Sequence, residues 1–431
     1  MTASSTSSAG ATTSDRPPAG PTAGARDDAL SPALTPPPGN PRFPLFDGLR
    51  GITVFAILAL HVYEVTGRVG LGILGRMAEV AGFVAVIAFF VISGFLLYRP
   101  YVAARVRGGG VPSTRRYMRR RALRILPAYW TALTLLAVFP GLVGVFTGDW
   151  WRFYGYLQVY SSRTQTQGIP VAWSLCVEVA FYLALPLWAM AIRRLPTHAG
   201  KRGYRAEVFP LVTLAVIGFL IQLLAARRVV PDVLADTLAG QMAWLAMGMM
   251  LAVASVAVED DCWVVAGLQK LARSPLLCWG LAALAVGGLM LLVPPHGLYG
   301  LIAGLQSHQS TPTTVLKLAL EASTVTLLVL PVVFAGQRPG LPRRLLAAKP
   351  IAWIGVISYS FYLWHLPILE FIANPHTRTG TAGLNLLGHL HTAKDLILFV
   401  VTLVATAVVA ALSYRLVELP FLRLKEGARR R

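Results

Sequence analysis

The sequence predicts an all-α, polytopic membrane protein of about ten transmembrane helices around a central polar cavity, and three observations predict it. Hydrophobic residues make up 55% of the 431 and charged residues only 13%, against roughly 25% charged in soluble domains. Apolar runs of about 20 residues recur along the chain, each long enough to cross a hydrocarbon core of roughly 30 Å. Lys and Arg are distributed unevenly between alternate loops, as the positive-inside rule requires of a multi-pass protein.

Ten spans are predicted at 47–66, 80–98, 122–146, 170–192, 208–226, 238–258, 274–293, 313–335, 351–372 and 393–417. One set of connections, 99–121, 193–207, 259–273, 336–350 and the tail from 418, holds 24 Lys and Arg; the opposite set holds 7. This asymmetry places both termini in the cytoplasm, with the inner (plasma) membrane as the expected location. It also explains the net charge of +20 and pI of 10.5 through the lipid bilayer, with no nucleic-acid partner.

Ahead of the spans, residues 1–41 are rich in Ser, Thr, Ala, Gly and Pro. They lack the apolar core of a signal peptide and are expected to be a disordered cytoplasmic leader. Residues 42–424 form the membrane domain, and 425–431 a basic cytoplasmic tail. The aromatic segment 147–169 is too short and polar to cross; it either lies at the outer interface or dips back into the bundle. His376, His389 and His391 in the loop 373–392 are unevenly spaced without nearby carboxylates, which favours solvated histidines, and no metal site is expected. Cys176, Cys262 and Cys278 show no paired or ligand-type spacing. Lys317 and Glu321, at i and i+4, read as a structural pair.

The chemistry is carried by polar residues inside the spans. Arg50 and His61 are eleven residues apart, which on a helix is a rise of roughly 16 Å and three turns plus about 20°. They share a face, with Arg50 at the cytoplasmic mouth and His61 near the midplane. Glu64, one turn on, is placed to pair with His61. Intramembrane ionisable groups are costly and usually face a cavity or a partner; a histidine merely bridging two helices is the structural alternative. In RRYMRRRALRILPAYW, residues 115–130, the positive-inside rule accounts for most of the arginines. It does not account for Arg124, which with Arg121 at i, i+3 makes a fork suited to phosphate. Pro127 is expected to bend this helix. In the span 170–192, Ser174, Glu178 and Tyr182 follow at i, i+4 and i+8 and line one stripe, next to Trp173. Glu178 reads as an unpaired carboxylate suited to proton transfer or to a cationic partner, with a structural Glu178–Arg pair as the alternative. Ser93 in FFVISGFLLYR, and Ser358, Tyr362 and His365 in ISYSFYLWHLP, are further candidates for the cavity wall, though small and hydroxylated residues also serve helix packing.

Six segments in this order resemble the acyltransferase-3 membrane O-acyltransferases: DGLRG with its Arg-x10-His spacing, FFVISGFLL, RRALRILPAYW, WSLCVEVAFY, SYSFYLWH and a terminal VELPF. The resemblance runs from about Phe43 to Phe421. It implies ten spans with cytoplasmic termini, Arg50 and His61 as the essential pair, and Arg121 and Arg124 as contacts to the acyl donor. It further implies Glu178 as the acidic partner. Some members continue into an extracytoplasmic SGNH-type domain; a stand-alone acyltransferase is the expectation here.

The expected function is therefore O-acyl transfer, acetyl being the default. The donor would be cytoplasmic acyl-CoA as co-substrate, with no permanently bound cofactor, and the acceptor a hydroxyl of a carbohydrate such as a cell-envelope glycan. The catalytic pair would be His61 and Glu178, with Arg50, Arg121 and Arg124 holding the donor. A macrolide-like small molecule is the alternative acceptor. A proton-coupled transporter is the alternative of another class, but it predicts inverted repeats, which the two halves do not show.

Overall fold

Apolar segments in lipid must satisfy their backbone polar groups internally, so they fold as helices. A computed structural model describes residues 45–106, 112–193, 201–257, 263–292, 310–334, 340–390 and 393–427, with the backbone alone at 106, 201–205, 263 and 425–427. The leader 1–41, most of the loop 294–312, Cys262, His391 and the end of the basic tail lie outside the described residues. In chain order the helices are α1 (Leu45–Val65), α2 (Gly72–Val106), α3 (Thr114–Leu136), a short α4 (Trp150–Tyr154), α5 (Trp173–Ile192), α6 (Lys201–Ala226), α7 (Leu238–Val256) and α8 (Trp263–Ala272). They continue as α9 (Pro275–Leu292), α10 (Thr311–Phe334), α11 (Leu341–Ala347), α12 (Lys349–Val356), α13 (Ser358–Ala373), α14 (Leu386–His389), α15 (Lys394–Ser413) and α16 (Leu419–Gly427). No strand occurs among the described residues. Among the described residues, nine helices are long and apolar enough to cross a membrane, ten if α12 and α13 count as one bent span. The protein is a multi-pass, all-α membrane protein.

Glycines set the closest approaches. A Cβ on Gly94 of α2 would lie 2.2 Å from the Leu245 carbonyl oxygen of α7, and one on Gly248 only 2.0 Å from that of Val91. The two helices therefore touch backbone to backbone, as small-residue packing in membranes allows. The DGLRG segment packs likewise: a Cβ on Gly48 would meet the Leu346 carbonyl oxygen at 2.0 Å, and one on Gly355 of α12 would meet that of Asp47 at 1.7 Å. This seats α1 on α11 and α12 and fixes the direction of Arg50. Replacing Gly248 with Ala is expected to force α2 and α7 apart at a cost of about 1–3 kcal/mol. It should lower the thermal unfolding midpoint in detergent, whereas Ala at Gly280, which faces open space, should not.

Three of the spans that differ from the sequence expectation shape the site. The second, expected at 80–98, runs through Gly72–Val106. The third, expected at 122–146, begins at Thr114, continues through Pro127 and breaks at Phe139 (φ −153°, ψ 129°), just before Pro140. A residue preceding proline is pushed to extended backbone, and Pro140 offers no N–H to continue the ladder. The ninth, expected as one helix over 351–372, is broken at Ile357 with an 80° bend between α12 and α13. The bend lets α12 lie along α1 while the first turns of α13 face the bundle interior.

The segment 147–169 folds back into the bundle. Trp150 and Trp151 are exposed, but Phe153, Gln158, Val159 and Thr164 are fully buried. The Tyr129 hydroxyl of α3 donates to the Phe153 carbonyl at 3.0 Å, and the Gln158 side-chain amide donates to the Gln167 and Ile169 carbonyls, each at 3.3 Å. Burial pushes the Tyr156 phenol well above its ordinary range, so it stays neutral against the Tyr129 ring. His376 and His389 are exposed. Cys176 and Cys278 are buried free thiols, and Lys317 and Glu321 form a buried pair at 4.0 Å.

Candidate active site

At the arginine-rich end of the bundle, a cavity of about 230 Å³ gathers side chains from five helices. Arg50 comes from α1, Ser93 from α2 and Arg121 and Arg124 from α3. Ser174, Glu178 and Tyr182 come from α5, and Ser358 and Tyr362 from α13. Helical spacing explains the grouping, since residues at i, i+3 or i+4 fall on one stripe: Arg121 with Arg124, Ser174 with Glu178 and Tyr182, Ser358 with Tyr362. Nine of the twelve sequence candidates thus share one cavity.

The cavity is cationic. Three guanidiniums face one carboxylate, and the first turn of α13 adds the positive end of its dipole. Glu178, expected to be unpaired, accepts a hydrogen bond from the Ser93 hydroxyl at 2.8 Å, so a group from α2 satisfies part of its demand. Arg50 lies within electrostatic reach of Arg124, Asp47, Glu178 and Tyr182. The Arg121 guanidinium sits 5.6 Å from the Tyr182 ring centre and 5.8 Å from that of Tyr117, a cation–π arrangement that holds the head group in place. Its Nε is buried with no hydrogen-bond partner among the described residues. A site of this charge and donor supply is built for an anion with several oxygens.

His61, His365 and Trp173 do not line this cavity. Trp173 is buried edge-on against Phe90, ring centres 6.1 Å apart. The two histidines stand one layer further in, behind Tyr362. The Tyr362 hydroxyl donates to the Val171 carbonyl at 2.9 Å and receives the Ser174 hydroxyl at 2.8 Å. His365, one turn along α13, packs against Tyr362 with ring centres 5.6 Å apart and against His61 at 5.2 Å. His61 sits four residues before the end of α1 at Val65, about 6 Å of helix. It lies in the last third of its helix.

Hydrogen bonding sets the tautomers. His61 Nδ1 faces Glu64 Oε2 at 2.8 Å, and a carboxylate can only accept, so Nδ1 carries the proton and Nε2 keeps its lone pair. His365 Nδ1 faces the Tyr362 carbonyl at 2.8 Å, which leaves its buried Nε2 likewise unprotonated and without a hydrogen-bond partner among the described residues. The His61–Glu64 dyad has the form of an oriented general base: one ring nitrogen is held by a carboxylate and the other is left to take a proton.

Some site residues escaped the sequence reading. Tyr359, next to Ser358 and so about 100° round the helix, also lines the cavity, its hydroxyl donating to the Ile125 carbonyl at 2.9 Å. Glu418 of the VELPF motif is buried and accepts from the Ser360 hydroxyl within electrostatic reach of Arg124. The motif marked it, but no spacing linked it to the third span. No group of three or more His, Cys, Asp or Glu that could hold a metal occurs among the described residues.

Comparison with known proteins agrees with this architecture. The chain is 23% identical over 402 residues to O-acetyltransferase OatA of Staphylococcus aureus, covering 88% of this chain and 57% of that protein. It is 23% identical over 162 residues to peptidoglycan O-acetyltransferase OatA of Listeria monocytogenes, covering 34% of this chain and 24% of that protein. The chain thus spans little more than half the length of the Staphylococcus relative. No solved structure matches it significantly. The acyltransferase-3 model, described as an acyltransferase domain, matches residues 44–415, a range that takes in every side chain of the cavity and both histidines behind it, and the chain belongs to that family.

Proposed function

We propose that the protein is a membrane O-acyltransferase that moves an acyl group, acetyl by default, from acyl-CoA to a hydroxyl of a carbohydrate-type acceptor such as a cell-envelope glycan. One observation carries the reading: Arg50, Arg121 and Arg124 converge in a single cavity whose inner wall, Tyr362, is backed by the His61–His365 pair. Acyl-CoA is a polyanion at one end and a thioester at the other. Its phosphates fit the guanidiniums, and its arm spans the roughly 16 Å of helix from Arg50 to His61. The positive-inside charge distribution supports a cytoplasmic position for that cavity, with both termini inside the cell.

In this mechanism His61 Nε2 removes the proton from the acceptor hydroxyl as the oxygen attacks the thioester carbonyl carbon. The C–O bond forms, the C–S bond breaks, and the thiolate leaves with the proton held by the imidazolium. The products are the O-acyl ester and free CoA thiol. Glu64 holds the imidazole and stabilises its charged form. Glu178, held by Ser93, faces the donor cavity and offsets the mutual repulsion of the three arginines, so that they can converge on the phosphates. A general base of this kind contributes about 10²–10⁴-fold.

The test is acyl transfer by the purified protein in lipid nanodiscs, paired with mass spectrometry of envelope glycans and extracellular metabolites from deletion and complemented strains. An acetyl-sized mass difference that returns on complementation identifies group and acceptor together. Transport of a solute into protein-containing liposomes without donor, together with no acyl-CoA turnover, would replace this reading with that of a transporter.

A further inference from the structure

A second cavity, of about 220 Å³, lies on the other side of the histidine layer. It is built from the break after α3 (Pro140–Val143), the end of the re-entrant segment (Thr166–Pro170) and the far end of α13 with its loop. Its position follows from two stretches of chain that line both cavities. On α13, Tyr362 faces the inner cavity and Pro367 the outer, five residues and about 7.5 Å apart. On the other wall Pro170 lines the outer cavity and Ser174 the inner, with Val171 between them bonded to Tyr362. The partition is thus little more than one helical turn thick, and His365 occupies it, with the His61 ring 5.2 Å away.

The two cavities differ in charge. The inner one carries three guanidiniums against one carboxylate. The outer one carries one of each: Glu370 and Arg378, joined at 2.6 Å. Glu370 is also within electrostatic reach of His61 and Glu64. The remaining polar lining is uncharged: Thr166, Thr377 and Gln167. The Phe139 and Phe371 rings, edge to face at 5.5 Å, stand next to the Pro140 and Glu370 walls. A balanced ion pair with hydroxyls and an amide around it does not select an anion. It offers carboxylate acceptors and guanidinium donors to neighbouring hydroxyls on a neutral ring. The volume, below the roughly 300–1,000 Å³ of drug-sized pockets, suits a single pyranose unit.

We propose that this outer cavity is the acceptor site and that it binds a neutral pyranose residue through the Glu370–Arg378 pair, presenting one ring hydroxyl to His61. The proposal rests on the acyl-transfer reading and deepens it. It makes the molecule a two-chamber enzyme, with an anion chamber and a sugar chamber meeting at the imidazoles.

The experiment uses the full chain in nanodiscs with three probes: the neutral tetrasaccharide of N-acetylglucosamine, its deacetylated cationic counterpart, and acetyl-CoA. The neutral saccharide alone is expected to raise the thermal midpoint, and the cationic one is not. Glu370→Gln and Arg378→Gln should each raise the KM for the neutral saccharide about tenfold or more and abolish its thermal shift, with the KM for acetyl-CoA unchanged. Thr377→Val, which leaves the ion pair intact, guards against loss of fold and should raise the saccharide KM by a smaller factor. Absence of any saccharide-induced shift in the unaltered protein overturns the acceptor site. So does a saccharide KM that stays within twofold in both ion-pair variants, or a donor KM that rises with it. Saccharide binding that persists while acetyl-CoA is never consumed overturns acyl transfer instead and leaves the sugar chamber standing.

Discussion

His61→Ala is expected to lower acyl transfer by at least about 10²-fold and by as much as about 10⁴, with the amount of folded protein unchanged. The side chain is only 14% exposed, but it is polar and its neighbours are the Glu64 carboxylate and the His365 ring, so truncation removes little apolar packing. What disappears is the lone pair on Nε2. The His61–Glu64 geometry makes a second, more diagnostic expectation. In Glu64→Gln the amide can donate to Nδ1, which moves the ring proton to Nε2 and removes the base without removing the ring. A wrong tautomer is known to be costly in a carboxylate–histidine–nucleophile system, so kcat should fall by about tenfold or more, with little change in either KM. Initial rates at saturating acetyl-CoA, alongside a thermal unfolding curve for each variant, settle the matter. Activity above a tenth of the unaltered rate in His61→Ala would remove the imidazole from the chemistry and turn attention to the Nε2 of His365.

Much of this site was legible in the sequence because it depends on spacing within single helices. The stripe Ser174, Glu178, Tyr182 and the pair Arg121, Arg124 needed only the helical repeat to be placed on one face, and all five reach the same cavity. The His61–Glu64 bond is likewise local, one turn along α1. Features that depend on helix ends were less legible. The first span was expected to end at 66 and α1 does end at Val65, but the second was expected at 80–98 and runs through Gly72–Val106. The bend at Ile357 has no proline or glycine at the hinge itself. It follows from the close seat of Gly355 on the Asp47 carbonyl of α1, a tertiary contact about three hundred positions away. The outer cavity was illegible for the same reason. Its walls come from around 140, 168 and 370–378, and no motif links those segments. Its ion pair joins a helix end to a loop arginine that, read alone, is one more exposed cation.

Removing two of the three inner guanidiniums should produce the second large effect, and it should fall on the donor. A charge-assisted hydrogen bond to a buried partner is worth about 1.5–3 kcal/mol, so losing one raises the donor KM roughly 10- to 150-fold, since 1.4 kcal/mol is a factor of ten. In Arg121→Gln/Arg124→Gln the two losses are coupled, because both side chains line one cavity with Arg50 and Glu178. With only Arg50 left to balance it, the Glu178 carboxylate would repel an incoming phosphate instead of ordering the groups that bind it. The double variant is therefore expected to lose more than the two single variants combined, and a double-mutant cycle on donor KM measures that excess. Lysine should not rescue position 121. There the guanidinium lies between the Tyr117 and Tyr182 rings, and a lysine ammonium lacks both the planar face and the fork. A donor lacking one phosphate gives the internal control, because it should be discriminated against by the unaltered protein and accepted almost as well as the full donor by the double variant. If the double variant keeps its acetyl-CoA KM within twofold of the unaltered value, the arginines serve topology alone, and the donor must reach His61 by another route.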